Sequence, residues 1–321
     1  VSAPSPSPRR PRRHSRRRYA IRRAVAALIL VVAGFGIVQL VRSVVADGDA
    51  VADGAAAPAD TTVASGSAPT VDPLADPLAD PVDSVVDTTD PEPDTTGPAT
   101  PQDPAKVFIV GDSDAGTFGP YLQTLLDGTG VVTTELDYKV SSGLARPDFF
   151  DWPAEIDAKL PEVDPDIVVA TFGGNDAQGL SVADGDFIVG DPVANEAEWV
   201  AEYSKRAGEV MDQLTAGGRT LIWVGIPNDD DPDVTARMAI QDKAARAAAA
   251  ERPGVIFIDT WKRFSGRTGG WAEFVIDPRD GEGKDVRADD GFHLNQTGAE
   301  ILAIDIAQAI RDTLRADGAQ I

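Results

Sequence analysis

KVFIVGDS (106–113) opens the folded part of the chain: four apolar residues in a row, too short a run for a helix, then glycine, a carboxylate and a hydroxyl. Such a run reads as a strand buried on both faces, and Gly111 permits the tight turn that places Ser113 at the head of a following helix. Working outward, further strands are expected at 133–140, DIVVATF (166–172), TLIWVGI (220–226) and VIFID (255–259). Helical patterns cover 197–216, 233–251 and 297–314. Alternating elements of these lengths predict an α/β fold, a mostly parallel sheet covered by helices on both faces. Open sheets of this kind build their sites at the carboxyl ends of strands.

The rest of the 321 residues is organised differently. Residues 46–104 are dominated by Ala, Asp, Pro, Thr, Ser and Val without one aromatic, too little apolar surface to offset chain entropy, so a disordered linker is expected. Before it, AVAALILVVAGFGIVQLV (24–41) carries no formal charge and follows an Arg-rich cluster. The expected layout is a basic tail (1–23), a transmembrane anchor (24–45), the linker (46–104) and one domain (105–316). The positive-inside rule keeps the N-terminus in the cytoplasm and exports the domain. The other reading of 24–45 is a cleaved signal peptide, which makes the protein secreted.

Ten Arg lie between Arg9 and Arg42 with no acidic residue among them, leaving 19 basic against 52 acidic residues, a net of −33. A body that acidic repels phosphate backbones and argues against nucleic acid as a partner. The absence of cysteine excludes a disulfide framework, a Cys nucleophile and a thiolate zinc site. Only His14 and His293 exist, so any imidazole chemistry in the domain belongs to His293. Oligomeric state is not legible here.

Three short blocks follow strand candidates or close the domain. In the first, Gly111-Asp112-Ser113, a serine at a helix N-terminus meets a field that favours developing negative charge. In the second, Thr171-Phe172-Gly173-Gly174-Asn175-Asp176, glycines allow close backbone approach and the Asn amide can donate to an oxyanion. In the third, Asp290-Gly291-Phe292-His293, glycine allows a turn that brings carboxylate to imidazole, the pair a serine's general base needs. Taken singly, each is also an ordinary turn or cap.

Together, in this order, G-D-S, G-x-N-D and D-x-x-H resemble the SGNH (GDSL-like) hydrolase superfamily, over essentially the whole of 106–314. The segments S-S-G-L-x-R-P-D and V-R-x-x-D-G-x-H also resemble a membrane-anchored bacterial subgroup of undefined substrate. The resemblance implies a flavodoxin-like three-layer αβα sandwich with a five-stranded sheet. It implies Ser113 as nucleophile with His293 and Asp290, an oxyanion hole from Ser113, Gly143 and Asn175, and no cofactor or metal. Asp114, Arg146, Gly174 and Arg287 are candidate substrate contacts, with Trp152 and Trp271 nearby, a set that either suits carbohydrate or an anionic wall polymer or consists of ordinary rim and core residues.

Anchor and stalk place that activity at the cell membrane, facing the envelope. The implied substrate is an acylated carbohydrate or other small ester, hydrolysed or passed on as an acyl group. The alternative is an inactive surface module that binds a wall polymer or a protein. One departure stands out: Asp114 occupies the position where the family's block carries leucine. A carboxylate there either favours the charged imidazole or points to solvent, and the sequence leaves both open.

Overall fold

The computed structural model describes residues 97–321. The expected basic tail, the expected anchor and all but the last eight residues of the expected linker lie outside the described residues. Among the described residues no helix is long and apolar enough to cross a membrane.

The first strand, β1 (Ala105–Gly111), leads into α1 (Ser113–Asp127), then β2 (Val132–Tyr138), α2 (Trp152–Val163) and β3 (Ile167–Thr171). A hairpin of β4 (Leu180–Ser181) and β5 (Phe187–Val189) precedes α3 (Glu196–Thr215), β6 (Thr220–Val224), α4 (Pro232–Ala250) and β7 (Val255–Ile258). A short α5 (Thr260–Arg263) and a second hairpin, β8 (Phe274–Ile276) with β9 (Gly283–Asp285), lead to α6 (Gln296–Ala316).

The main sheet has the order β2-β1-β3-β6-β7, and all four neighbouring pairs are parallel. The five strands are those expected from the sequence. Their order reverses between β1 and β3, so a crevice is expected outside the carboxyl ends of that pair. The two strands are in register to their ends, with Gly111 opposite Thr171.

Both faces of the sheet are covered, which explains the unbroken apolar runs. Val107, Ile109, Val169 and Ile222 face Phe118, Leu122 and Leu126 of α1 and Ile301, Ile306 and Ile310 of α6. The alternate residues Phe108, Val110, Val168 and Trp223 face Trp152 and Ile156 of α2, Trp199 and Tyr203 of α3, and the alanines of α4. Truncating one of these large side chains to alanine removes roughly 3–5 kcal/mol.

Two helices escape a reading by periodicity. In α1, Gly116 and Gly119 blur the pattern, yet a Cβ on either would lie 2.4 Å from the Tyr138 ring or 2.8 Å from Leu136. Glycine there lets the helix press onto β2. In α2, Pro153 starts the helix and Pro161 sits in its last turn, so the sequence reads as broken where the structure is continuous. The hairpins are too short to show a period.

Gly111 is where sheet and site meet. Its φ is +154°, and a Cβ would stand 2.1 Å from the Thr171 carbonyl oxygen. Gly111→Ala is therefore expected to cost at least about 2 kcal/mol in chemical denaturation and to loosen the Ser113 turn. Unchanged stability would show that β1 and β3 tolerate separation at their ends.

Candidate active site

Asp112 follows Gly111 and caps α1. Its Oδ1 accepts the Asp114 N–H at 2.9 Å, and its Oδ2 accepts the N–H groups of Gly173 and Gly174 at 3.1 and 3.0 Å. One fully buried carboxylate thus ties the turn after β1 to the turn after β3. Ser113 then heads α1, its N–H making no hydrogen bond among the described residues. The same bonds settle the place of Gly174: its N–H is spent on Asp112 and cannot serve a substrate.

The segment carrying Gly143 is fixed from the same side. Asp176, the last residue of the second block, accepts the N–H groups of Leu144 and Ala145, both at 2.9 Å, and the Tyr203 hydroxyl at 2.6 Å. A Cβ on Gly143 would fall 2.0 Å from Asp176 Oδ1, so only glycine fits. Asn175 donates through Nδ2 to the Ser142 carbonyl at 3.2 Å, which sets its amide beside Gly143. The Gly143 N–H makes no hydrogen bond among the described residues.

The third block is a closed loop. An antiparallel bridge pairs Arg287 with Leu294, the Ala288 N–H donates to the His293 carbonyl at 2.9 Å, and Gly291 adopts φ +92°. A Cβ on Gly291 would meet Asp230 Oδ1 at 2.2 Å. Asp290 Oδ1 accepts the N–H groups of Phe292 and His293, and Asp290 Oδ2 lies 2.6 Å from His293 Nδ1. The other ring nitrogen, Nε2, lies 2.9 Å from Ser113 Oγ. Burial pushes the Asp290 carboxyl up, but the His293 contact and the backbone N–H groups outweigh it and hold it below its ordinary value. An ionised Asp290 only accepts, so Nδ1 carries the proton and Nε2 is free to accept one from Ser113.

Arg287 corrects the sequence reading. It is buried, and its five N–H donors go to five acceptors: the carbonyls of Ala272, Asn228, Phe292 and Phe264, and the Asn228 side-chain oxygen. The guanidinium therefore pins the His293 loop to the segments after β6 and α5, with no donor left for a ligand. Burial lowers its pKa to about 10, against the carboxylates of Asp114, Asp229, Asp230 and Asp290. Arg146 is likewise engaged, bidentate with Asp148 at 2.8 and 2.6 Å and stacked over Phe187. Trp152 is core, donating to Ser142 Oγ, and Trp271 donates to the Gly291 carbonyl. The residues that suggested an anionic polymer are thus occupied in holding loops.

Sequence reasoning missed Asp112, Asp176 and the bracing by Arg287. The signal was present as carboxylates at the ends of apolar strands, where only a structural task justifies the cost of burial. Burial raises Asp112 well above its ordinary value, helped by Asp114 and Asp176, and it raises Asp176 against the pull of the Tyr203 hydrogen bond. Asp114 is 7 % exposed rather than solvated, and its Oδ2 has no hydrogen-bond partner among the described residues.

The family described as "Protein of unknown function (DUF459)" matches residues 106–309, and the chain belongs to it. No curated protein matches. Among solved structures, the chain is similar to a protein from Slackia heliotrinireducens assigned to the SGNH hydrolases, at 17% identity and TM-score 0.44, covering 64% of this chain and 99% of that one. It is similar to a family 3 carbohydrate esterase from Talaromyces cellulolyticus at 14% and 0.44, covering 66% and 99%. A variant of an acetyl xylan esterase from Geobacillus stearothermophilus aligns at 16% and 0.40, covering 68% and 96%.

Burial lifts the Asp114 carboxyl from 3.8 to about 6, more than His293 and Arg287 pull it down. Between those values the folded state binds more protons than the unfolded chain, so stability falls as pH rises through the window. Asp114→Asn removes that loss. Thermal and urea unfolding are expected to show the variant gaining up to about 3 kcal/mol over wild type between pH 4 and pH 7. A difference that does not change with pH would place the residue's titration outside the folded state's control.

Proposed function

We propose that this member of the DUF459 family is an extracytoplasmic serine ester hydrolase that works through an acyl-enzyme, with an acylated carbohydrate of the cell envelope as substrate. The observation that carries the reading is the relay of Ser113 Oγ to His293 Nε2 at 2.9 Å and His293 Nδ1 to Asp290 Oδ2 at 2.6 Å. Two loops 180 residues apart in the chain, the turn after β1 and the Asp290–His293 loop, meet there.

In this reading Ser113 Oγ attacks the ester carbonyl as His293 Nε2 takes its proton, and Asp290 stabilises the resulting imidazolium. The tetrahedral oxyanion is met by the N–H groups of Ser113 and Gly143 and by Asn175 Nδ2. The first two make no other hydrogen bond among the described residues, and Asn175 gives one amide hydrogen to Ser142. His293 then protonates the departing alcohol. Water repeats the sequence on the acyl-enzyme and frees the acid, or a sugar hydroxyl takes the acyl group in its place.

The charge around the site bears on the substrate. Asp114, Asp229, Asp230 and Asp290 surround Arg287, whose donors are all spent. A neutral ester, such as an O-acetyl group, meets less repulsion there than an anionic one. The same loops and carboxylates suit an acetylated neutral sugar better than an anionic polymer.

The test is direct. The purified chain is expected to hydrolyse p-nitrophenyl acetate and to be labelled on Ser113 by a serine-directed phosphonate, located by mass spectrometry. Ser113→Ala should lower kcat at least about 10³-fold with an unchanged melting temperature. Asn175→Ala should lower kcat on the order of 10²-fold. Wild-type protein that neither turns over an acyl ester nor takes the label would overturn the reading.

A further inference from the structure

The departure at position 114 acquires a use once its surroundings are known. Asp114 lies in the first turn of α1, directly after the nucleophile, and its N–H is held by Asp112. Its Oδ2 is buried without a hydrogen-bond partner among the described residues. That oxygen lies against Gly174, where a Cβ would stand 3.2 Å from it and 3.1 Å from the Phe292 ring. Phe292 in turn meets the His293 ring edge-on, with centroids 4.9 Å apart. The carboxylate is therefore enclosed by the residue before the base and by the turn that presents the oxyanion donors.

The charges facing it come from three directions. Asp112 precedes it in its own turn, and Asp176 lies beyond Asp112 in the second block. Arg287, Asp290 and His293 face it from the third block. Asp229 and Asp230 act on Arg287 from the segment after β6. Of the two groups able to be positive, Arg287 has all five donors committed to other acceptors. The other, His293, is positive only while it holds the proton of Ser113 in the reading above. A buried negative charge beside an intermittently charged base favours its charged state.

We propose that Asp114 is a positioning residue of the reaction, a second carboxylate that acts with Asp290 to hold the proton on His293 while Ser113 attacks. It takes no proton itself: the proton passes from Ser113 Oγ to His293 Nε2 and on to the leaving alcohol. The inference rests on the esterase reading and deepens it. A leucine at this place gives the same packing without the charge.

The experiment compares wild type, Asp114→Asn and Asp114→Leu of the full chain on p-nitrophenyl acetate between pH 5 and 9, with melting curves at each pH. Removing the charge is expected to lower kcat at pH 8 about tenfold and to move the acid limb of kcat/KM about one pH unit lower, with KM within twofold. Activity falls while the melting temperature at pH 8 rises, a combination a purely structural role does not give. Asp114→Glu, which keeps a charge, is expected to hold the wild-type limb, and it keeps the test decisive if the neutral variants fold poorly. Variants with wild-type kcat and an unmoved limb, or with kcat and melting temperature falling together, overturn the inference alone. Wild-type protein inert to ester and phosphonate fails at the earlier step and removes both.

Discussion

The site depends on one buried carboxylate. Asp112 accepts N–H groups from its own turn and from the turn after β3, and so continues across the strand ends the pairing that joins β1 to β3. Without that bridge two glycine-rich turns would leave the sheet independently, and the N–H of Ser113 and the amide of Asn175 would have no fixed relation. Charge-assisted bonds to backbone N–H groups suit this task, being strong, directional and short in reach. Asp176 repeats the device one loop further out, fastening Leu144 and Ala145 beside a glycine that tolerates no side chain.

Arg287 performs the complementary task on the other side. Its planar fork satisfies five acceptors from four segments, geometry an ammonium with three donors does not offer. It also leaves a fixed positive charge among Asp114, Asp229, Asp230 and Asp290. The His293 loop is thereby held without a direct ion pair to the guanidinium, and the imidazole keeps its contacts to Ser113 and Asp290.

These arrangements are held at a cost to stability. Asp112, Asp114 and Asp176 are all carboxyl groups raised by burial, a pattern that collects at places where geometry or chemistry is selected over stability. The two central strands and the helices on both faces supply the apolar packing that offsets this.

The sequence by itself determined the five strands, their burial on two faces, and the three blocks that carry hydroxyl, amide and imidazole. Each of those is local: an apolar run, a glycine that turns, a cap that begins a helix. It also determined that any imidazole chemistry in the domain belongs to His293, because the domain holds no second imidazole. The start of α1 at Ser113 was legible, but its extent and the whole of α2 were hidden by glycines and prolines whose reasons are contacts with other elements or the helix's own ends. What tertiary structure decided was which polar groups face the crevice. Arg146, Gly174 and Arg287 looked available in the sequence, and the folded chain commits the Gly174 N–H and all five Arg287 donors and pairs Arg146 with Asp148. For Asp114 the sequence left open whether the carboxylate meets the imidazole or solvent, and the fold buries it. Spacing along the chain fixes the chemistry a residue can offer, whereas its partners come from segments tens to hundreds of residues away, and burial sets the energy of leaving it without one.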